Sequence, residues 1–384
     1  MDFEKAEKWL QLYDEFFAPF GRYFARSESR ESARQYVRGL LADVKRKNSW
    51  QLAEAMGLRD PHGFQRLLYE VPWDADELAG DKREVVVERL GYDPGIGVVD
   101  ESGFVKKGDK SAGVGRQYCG RVGKVENCQV GVFLGYVTSL GAAFLDRRLY
   151  IPEAWFADRE RCRAAKIPDE VEFQTKPQLA VAMLEQAWSE GIPMQWVVGD
   201  TVYGNSPHCR TTIAQAGRYY VLGLGAHHHV MFPEGQQMAL SALIESQVNT
   251  SWDQLCFQIG EKGAVWYAWH AWRITMPNDA IGEQWLLVRR HPNNPLDYRC
   301  YVSNAPLDTT LVELAGVALT RHSIEQILEE AKSETGLADY EVRHWHGWHR
   351  HITLALLAHT FLKLIQHEQR EKKPFARLVE LECA

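Results

Sequence analysis

The chain has 384 residues, of which 45% are hydrophobic and 25% charged, and this composition predicts a globular protein of two or three domains. The seven cysteines are odd in number, are scattered along the chain and form no Cys-x-x-Cys pair. This pattern argues against a disulfide framework and against a thiolate zinc site, and a reducing cytoplasm is the expected compartment. The first residues lack the basic and then apolar pattern of a signal peptide. The most apolar late stretch, residues 352–365, is too short to span a bilayer, so no membrane segment is expected.

The charge distribution is uneven. A net charge of −7 and a pI near 6.1 count against DNA binding, since DNA-binding proteins usually carry a basic footprint. Residues 105–124, however, contain six cations and one anion, a local charge of 6 − 1 = +5. The sequence thus predicts a cationic hairpin that suits a phosphate backbone, and a solvated loop is the alternative.

Helical patterning fills residues 1–92 and predicts an N-terminal helical domain. Residues 31–47 place Tyr36, Val37, Leu40 and Val44 at helical spacing. Residues 50–57 and 60–68 predict a helix-turn-helix that would read a DNA end. The alternative is a small bundle that packs on the rest of the protein.

Strand patterning begins after residue 92, and residues 93–225 predict the first part of a mixed α/β core. A strand ends at Asp100, and two more follow at residues 128–136 and 142–149. A helix at 176–191, a strand at 195–199, a helix near 209–216 and a strand at 219–224 complete this part. Three strands followed by alternating helices and strands are typical of a mixed sheet. Residues 226–305 predict a β-rich insertion, and residues 306–384 predict the C-terminal part of the core with helices at 321–332 and 351–367.

Three acidic residues, Asp100, Asp200 and Glu325, are the candidate catalytic site. Each Asp closes an apolar run that reads as a strand, and Glu325 lies in a predicted helix. Two Asp at strand ends and one Glu on a later helix suit two divalent metal ions about 4 Å apart, as in phosphoryl transfer. At 100° per residue, Arg321 and Lys332 fall within about 60° of Glu325, so both could pair with phosphate oxygens. The alternative is a surface helix with i,i+4 salt bridges.

These segments resemble the three catalytic blocks of bacterial insertion-sequence DDE transposases. The matching segments are residues 98–108, 198–204 and 324–332, and residues 340–353 add a fourth similarity in the same order. The resemblance implies a ribonuclease-H-like catalytic core with a β insertion before the Glu helix, and it makes Asp100, Asp200 and Glu325 the metal-binding triad. A related branch carries a Tyr-x2-Arg-x3-Glu-x6-Lys signature, of which this chain matches all but the Tyr, where it has Ala318.

The resemblance also implies a mechanism. Two Mg²⁺ ions, with Mn²⁺ able to substitute, would support hydrolysis at the element end and then attack of the freed 3′-OH on target DNA. The partners would be double-stranded DNA and a second copy of the chain in a dimeric synapse, in a bacterial cytoplasm and on the nucleoid when DNA is bound. The candidate DNA contacts are Lys106, Lys107, Arg321, Lys332, Tyr203 and Trp272.

Four alternatives stay open at this point. Trp272, with Trp266 and Trp269, would stack on an unpaired base or instead belong to the core. A ribonuclease-H-like endonuclease without strand transfer would share the triad. A domesticated DNA-binding regulator would keep the fold without the chemistry, and a hydrolase of small phosphoesters would need neither the N-terminal helices nor the basic hairpin.

Overall fold

A computed structural model describes residues 3–91, 94–260, 263–277 and 280–371. The domain boundary predicted at 92/93, the last residues of the predicted C-terminal part and Cys383 lie outside the described residues. No helix in the described part of the chain is both long enough and apolar enough to cross a membrane.

The N-terminal region is helical, as the sequence patterning predicts. Its helices are α1 (Phe3–Phe17), α2 (Ser27–Leu41), α3 (Ser49–Ala55), α4 (His62–Tyr69) and α5 (Ala75–Leu90). Asp74 caps α5 by accepting hydrogen bonds from the backbone amides of Asp76 and Glu77. Helix α2 ends six residues before the predicted end, at Leu41, and buried Lys47 hydrogen-bonds one of its last carbonyls, that of Leu40, at 2.7 Å.

One mixed sheet organises the molecule. Its strands are β1 (Gly95–Val105), β2 (Gly115–Cys119), β3 (Lys124–Thr138), β4 (Gly141–Tyr150), β5 (Met194–Gly199), β6 (Tyr219–Leu224), β7 (His229–Met231), β8 (Gln237–Ala239), β9 (Asp253–Gly260), β10 (Gly263–Thr275), β11 (Glu283–His291) and β12 (Asn294–Ser303). The central order is β4-β3-β1-β5-β6, with β1, β5 and β6 parallel and β3 and β4 antiparallel to their neighbours. This mixed α/β sheet confirms the ribonuclease-H-like fold class.

Helices cover both faces of the sheet. They are α6 (Arg159–Ala164), α7 (Lys176–Ser189), α8 (Thr201–Gly204), α9 (Pro207–Gln215), α10 (Leu240–Ser246), α11 (Leu311–Leu319), α12 (Arg321–Glu334) and α13 (Trp345–Glu371). Val98 on one face of β1 joins the core that contains Ile324 of α12 and the N-terminal helices. Val99 on the other face joins the core that contains Leu184 of α7 and Ile213 of α9. Because successive strand residues point to opposite faces, this alternation decides on which side each later side chain lies.

The predicted β-rich segment continues the same sheet. Strand β12 pairs antiparallel with β6, and β11 and β10 follow it in order. Its two faces therefore extend the two faces of the central strands. Trp269, Leu287 and Tyr301 lie on the face that holds Val98.

The N-terminal helices share a core with the C-terminal helix. The Tyr36 hydroxyl of α2 lies 2.8 Å from Nδ1 of His351 on α13, and both residues are buried. Lys47 also donates to the carbonyl of Glu334 at the end of α12. The Tyr36 contact ties α2 to α13, and the Lys47 contact ties the segment after α2 to α12, the helix that carries Glu325.

Candidate functional site

Asp100 and Asp200 lie side by side on parallel strands. Strands β1 and β5 pair in register, with Val98 opposite Val198 and Val99 opposite Gly199, so the next residue of each chain segment is an aspartate. Neighbouring strands are about 4.8 Å apart, which places the two carboxylates close together. The expectation that Asp100 ends its strand is wrong, because β1 continues to Val105 along antiparallel β3.

Asp200 is also fixed by the turn that follows it. It is the N-cap of the short helix α8, and its carboxylate accepts a hydrogen bond from the Val202 amide at 2.8 Å. The chain can turn so tightly here because Gly204 touches the backbone of β6. A Cβ at Gly204 would lie 1.8 Å from the Gly223 carbonyl oxygen.

Glu325 reaches the site from α12 and is held by basic neighbours. Its Oε1 is 2.8 Å from Nη1 of Arg321, one turn earlier, and its Oε2 is 3.2 Å from Nδ1 of His322. The other guanidinium nitrogen of Arg321, Nη2, lies 3.4 Å from Oδ2 of Asp100. The structure thus places Asp100, Arg321 and Glu325 in one chain of contacts.

A glycine on the neighbouring strand lets α12 approach the sheet. A Cβ at Gly135 of β3 would lie 2.7 Å from Cδ1 of Ile324, the residue before Glu325. The helix therefore packs directly on the strand next to β1, and this contact sets the height of Glu325 over the sheet.

Burial strongly perturbs both aspartates. It raises the pKa of Asp100 to about 7, with Arg321 opposing the shift and Asp200 adding to it. Burial also raises the pKa of Asp200, and the charge of Glu101 adds to the effect. Although burial opposes it, the charges of Asp100 and Glu325 raise the pKa of Arg321. The site is therefore a set of poorly solvated carboxylates that a cation would stabilise.

The donor chemistry fits a hard divalent cation, which prefers carboxylate oxygens. Within the described ranges, however, no three acidic, histidine or cysteine side chains converge closely enough to hold a metal ion in this arrangement. The Arg321 guanidinium lies between Asp100 and Glu325 and supplies the compensating positive charge. A metal held by both Asp100 and Glu325 would compete with Arg321 for their carboxylate oxygens.

A cleft of about 770 Å³ opens over these residues. Asp200, Arg321 and Glu325 line one side of it. The other side comes from the β-rich segment and combines aromatic and basic side chains, namely Tyr267, Arg289, Tyr298, Arg299 and Tyr301.

The basic wall of the cleft was missed by sequence reasoning. Arg289 and Arg299 are direct cross-strand partners on β11 and β12, and the Arg289 guanidinium lies 4.2 Å from the centre of the Tyr267 ring. Like charges directly opposite each other destabilise a sheet, and one of the two is partly compensated here, since Oδ1 of Asp297 lies 3.6 Å from Nη1 of Arg299. The signal available in the sequence was the pair of arginines at residues 289 and 299, but their register could not be read from it.

The lysines that the sequence predicts to contact DNA differ in their exposure to solvent. Lys106 is half-buried, and its Nζ donates to the Tyr340 carbonyl at 3.2 Å and lies 3.5 Å from the centre of the Tyr340 ring. Burial lowers the pKa of Lys106 to about 7. Lys107 is exposed, and Lys332 is half-buried on α12. The cationic segment starts at Val105, five residues beyond Asp100 along β1 and roughly 17 Å away. Its later part folds back toward β1, because a Cβ at Gly103 would lie 2.5 Å from Sγ of Cys119.

Two predicted aromatic contacts lie outside the cleft. Tyr203 is fully buried and donates its hydroxyl hydrogen to Oε2 of Glu101 at 3.1 Å. Trp272 packs on the opposite face of the sheet from the triad, with its ring 5.8 Å from that of Trp252. The prediction that Tyr203 and Trp272 line the DNA-binding site is therefore corrected: neither side chain lines the cleft. The strand alternation that puts Tyr267 in the cleft turns Trp272 away from it.

Comparison with known proteins identifies the family. The model of the DDE superfamily endonuclease family matches residues 15–242, more than half of the chain, and this range includes Asp100 and Asp200. A probable transposase for insertion sequence element IS701 from Microchaete diplosiphon is 25% identical over 348 residues, which cover 88% of this chain and 83% of the relative. Among solved structures, the NurA nuclease from Sulfolobus solfataricus matches with a TM-score of 0.27 and 9% identity, over 64% of this chain and 80% of the nuclease.

The family match agrees with the resemblance seen in the motifs. Enzymes of this superfamily generally use divalent metal ions. The chain belongs to the DDE superfamily endonucleases and is an enzyme that acts on DNA.

Proposed function

We propose that this protein is the transposase of a bacterial insertion sequence, which cuts DNA at the element ends and joins the freed 3′ ends to target DNA. The observation that carries the proposal is the site itself. Asp100 and Asp200 adjoin on parallel strands, and Glu325 is linked to Asp100 through Arg321 in a cleft with basic walls. The IS701 relative supports the transposase class, because its similarity covers most of both chains.

Asp100, Asp200 and Glu325 would hold the metal. Two Mg²⁺ ions, or Mn²⁺ in their place, would supply an activated oxygen nucleophile and stabilise the leaving 3′-oxygen. The protein's own contribution is positioning. The Val202 amide fixes the Asp200 carboxylate, and the packing of Ile324 on β3 fixes the height of Glu325.

The cleft walls would bind the DNA backbone. Arg289 and Arg299 are cross-strand partners on β11 and β12 and both line the cleft, where a backbone phosphate could pair with their guanidinium groups. Lys107 and Lys332 are further candidate phosphate contacts. Lys106 instead would hold the start of the hairpin on Tyr340.

Each part of the chain would have its own role on DNA. We assign residues 1–92 to a helical domain that binds the element end through α3 and α4. Residues 93–225 and 306–384 form the catalytic core, and residues 226–305 are the β-rich insertion. Cutting two ends together implies a homodimer in the synaptic complex, on the nucleoid of a bacterial cell.

The test is cleavage of a plasmid that carries this gene's own flanking DNA, in Mg²⁺ or Mn²⁺. We expect cuts at the flank boundaries and joined products with the wild type. Asp200→Asn and Glu325→Gln should abolish both, whereas Glu88→Gln, which removes an exposed carboxylate on α5, should leave both unchanged. Cuts without joined products would favour the endonuclease alternative. Specific flank binding without any cutting would favour the DNA-binding regulator.

A further inference from the structure

Arg321 occupies an unusual position for a side chain at a metal-dependent site. Its two terminal nitrogens contact Asp100 and Glu325, two of the three carboxylates that the proposed function assigns to metal. Its remaining nitrogen, Nε, is buried and has no hydrogen-bond partner among the described residues. The guanidinium is therefore held by its two charged partners at one edge and is unsatisfied at the other.

This arrangement opposes metal binding. A guanidinium and a divalent cation compete for the same carboxylate oxygens, and their positive charges repel each other at contact distance. Arginine cannot lose its charge in this setting, so it yields the carboxylates only by moving.

A DNA phosphate is a natural alternative partner for Arg321. The planar guanidinium fork matches phosphate as well as it matches carboxylate. Arg321 lines the same cleft as Arg289 and Arg299, where the positive potential would draw a DNA backbone. Its side chain is 32% exposed and lines the cleft, so its terminal nitrogens can turn toward a phosphate there.

We propose that Arg321 makes metal binding depend on DNA. Without DNA, its guanidinium holds Asp100 and Glu325 and lowers the affinity of the site for metal; a backbone phosphate in the cleft draws the guanidinium away and frees both carboxylates. This inference rests on the proposed function, because it takes the triad as the metal site. Its consequence is that the enzyme loads metal on DNA and not before.

Linkage makes the proposal quantitative. If DNA raises the metal affinity by a given factor, metal raises the DNA affinity by the same factor, and couplings between sites are typically about 5- to 150-fold. We therefore expect DNA to tighten Mn²⁺ binding by at least about fivefold in the wild type. Arg321→Gln should bind Mn²⁺ at least about fivefold more tightly than the wild type without DNA, and DNA should add no further gain.

The measurement is the titration of Mn²⁺ into the full chain, followed by electron paramagnetic resonance of the free ion, with and without a short duplex of the flanking DNA. A titration of the duplex alone corrects for ions bound by DNA. Arg26→Gln removes an exposed arginine at the start of α2 and serves as the matched control, with wild-type affinity and coupling expected. If Arg321→Gln does not fold, Arg321→Lys retains the charge without the fork and should show a reduced coupling.

The outcomes separate this inference from the proposed function. Wild-type metal affinity and wild-type coupling in the Arg321 variant would overturn the inference, while loss of Mn²⁺ binding in Asp200→Asn would still support the triad as the metal site. Unchanged Mn²⁺ binding in Asp200→Asn would instead overturn the metal site of the proposed function.

Discussion

Replacing Asp100 by asparagine should stabilise the metal-free protein while it abolishes activity. Asp100 is 8% exposed, and burial raises the pKa of its carboxyl from 3.8 to about 7. The charged carboxylate of Asp100 therefore destabilises the folded protein, because it is desolvated there and hydrated in the unfolded chain. Asparagine has nearly the same shape and can still accept a hydrogen bond from Arg321, but it carries no charge to desolvate.

The size of the effect follows from the pKa of Asp100. Each pKa unit corresponds to about 1.4 kcal/mol, so the rise to about 7 represents about 4 kcal/mol of lost stability at pH 8. Because the folded pKa is the higher one, this loss begins above pH 3.8 and is complete above pH 7. At pH 5 it amounts to about 2 kcal/mol, so the advantage of Asp100→Asn should grow by about 2 to 3 kcal/mol between pH 5 and pH 8.

The assay is urea unfolding of both proteins in EDTA at a series of pH values, followed by circular dichroism. EDTA is essential because bound metal would stabilise the wild type alone. A variant that is less stable than the wild type at pH 8, or an advantage that does not change with pH, would refute the account of a charged carboxylate held at a cost. Plasmid cleavage by the same preparations checks that the stabilised variant is inactive.

Three other substitutions test the packing around the site. Lys47→Met should lower the free energy of unfolding by about 2–4 kcal/mol in urea melts, because the buried ammonium hydrogen-bonds the ends of both α2 and α12; a loss below 1 kcal/mol would contradict this role. Gly204→Ala should lower the free energy of unfolding by about 3 kcal/mol and reduce DNA cleavage, because its Cβ would overlap the Gly223 carbonyl. The control Gly80→Ala on α5 has room for the added methyl group and should stabilise the protein by up to about 1 kcal/mol. Burial lowers the pKa of His351 to about 3, so between pH 6.5 and pH 3 the unfolded chain binds a proton at this residue that the folded protein does not, and the free energy of unfolding falls with the pH. His351→Asn should reduce the dependence of the free energy of unfolding on pH by about 1.4 kcal/mol per pH unit in that window. An unchanged slope would disprove this account.

Local sequence patterns were sufficient for many of the elements and for the acidic residues. Strand β6 has the predicted bounds, and β3, β5 and α12 differ from the predicted ones by a few residues, because alternation and helical spacing are properties of neighbouring residues. Asp100 and Asp200 stood out since each follows an apolar run, and Arg321 and Glu325 share one helical face whatever the fold.

Several features that govern the site depend on contacts between distant parts of the chain. The pairing of β12 with β6 carries Arg289 and Arg299 into the cleft, and strand alternation alone shows two faces without saying which one meets the triad. In the same way, only the tertiary structure shows that Lys106 packs on the Tyr340 ring. The sequence by itself determined which groups can do the chemistry, because that depends on residue type and local spacing. Only the tertiary structure decided where they point and which charges oppose them, because burial and Coulomb energy depend on neighbours that the chain order does not reveal.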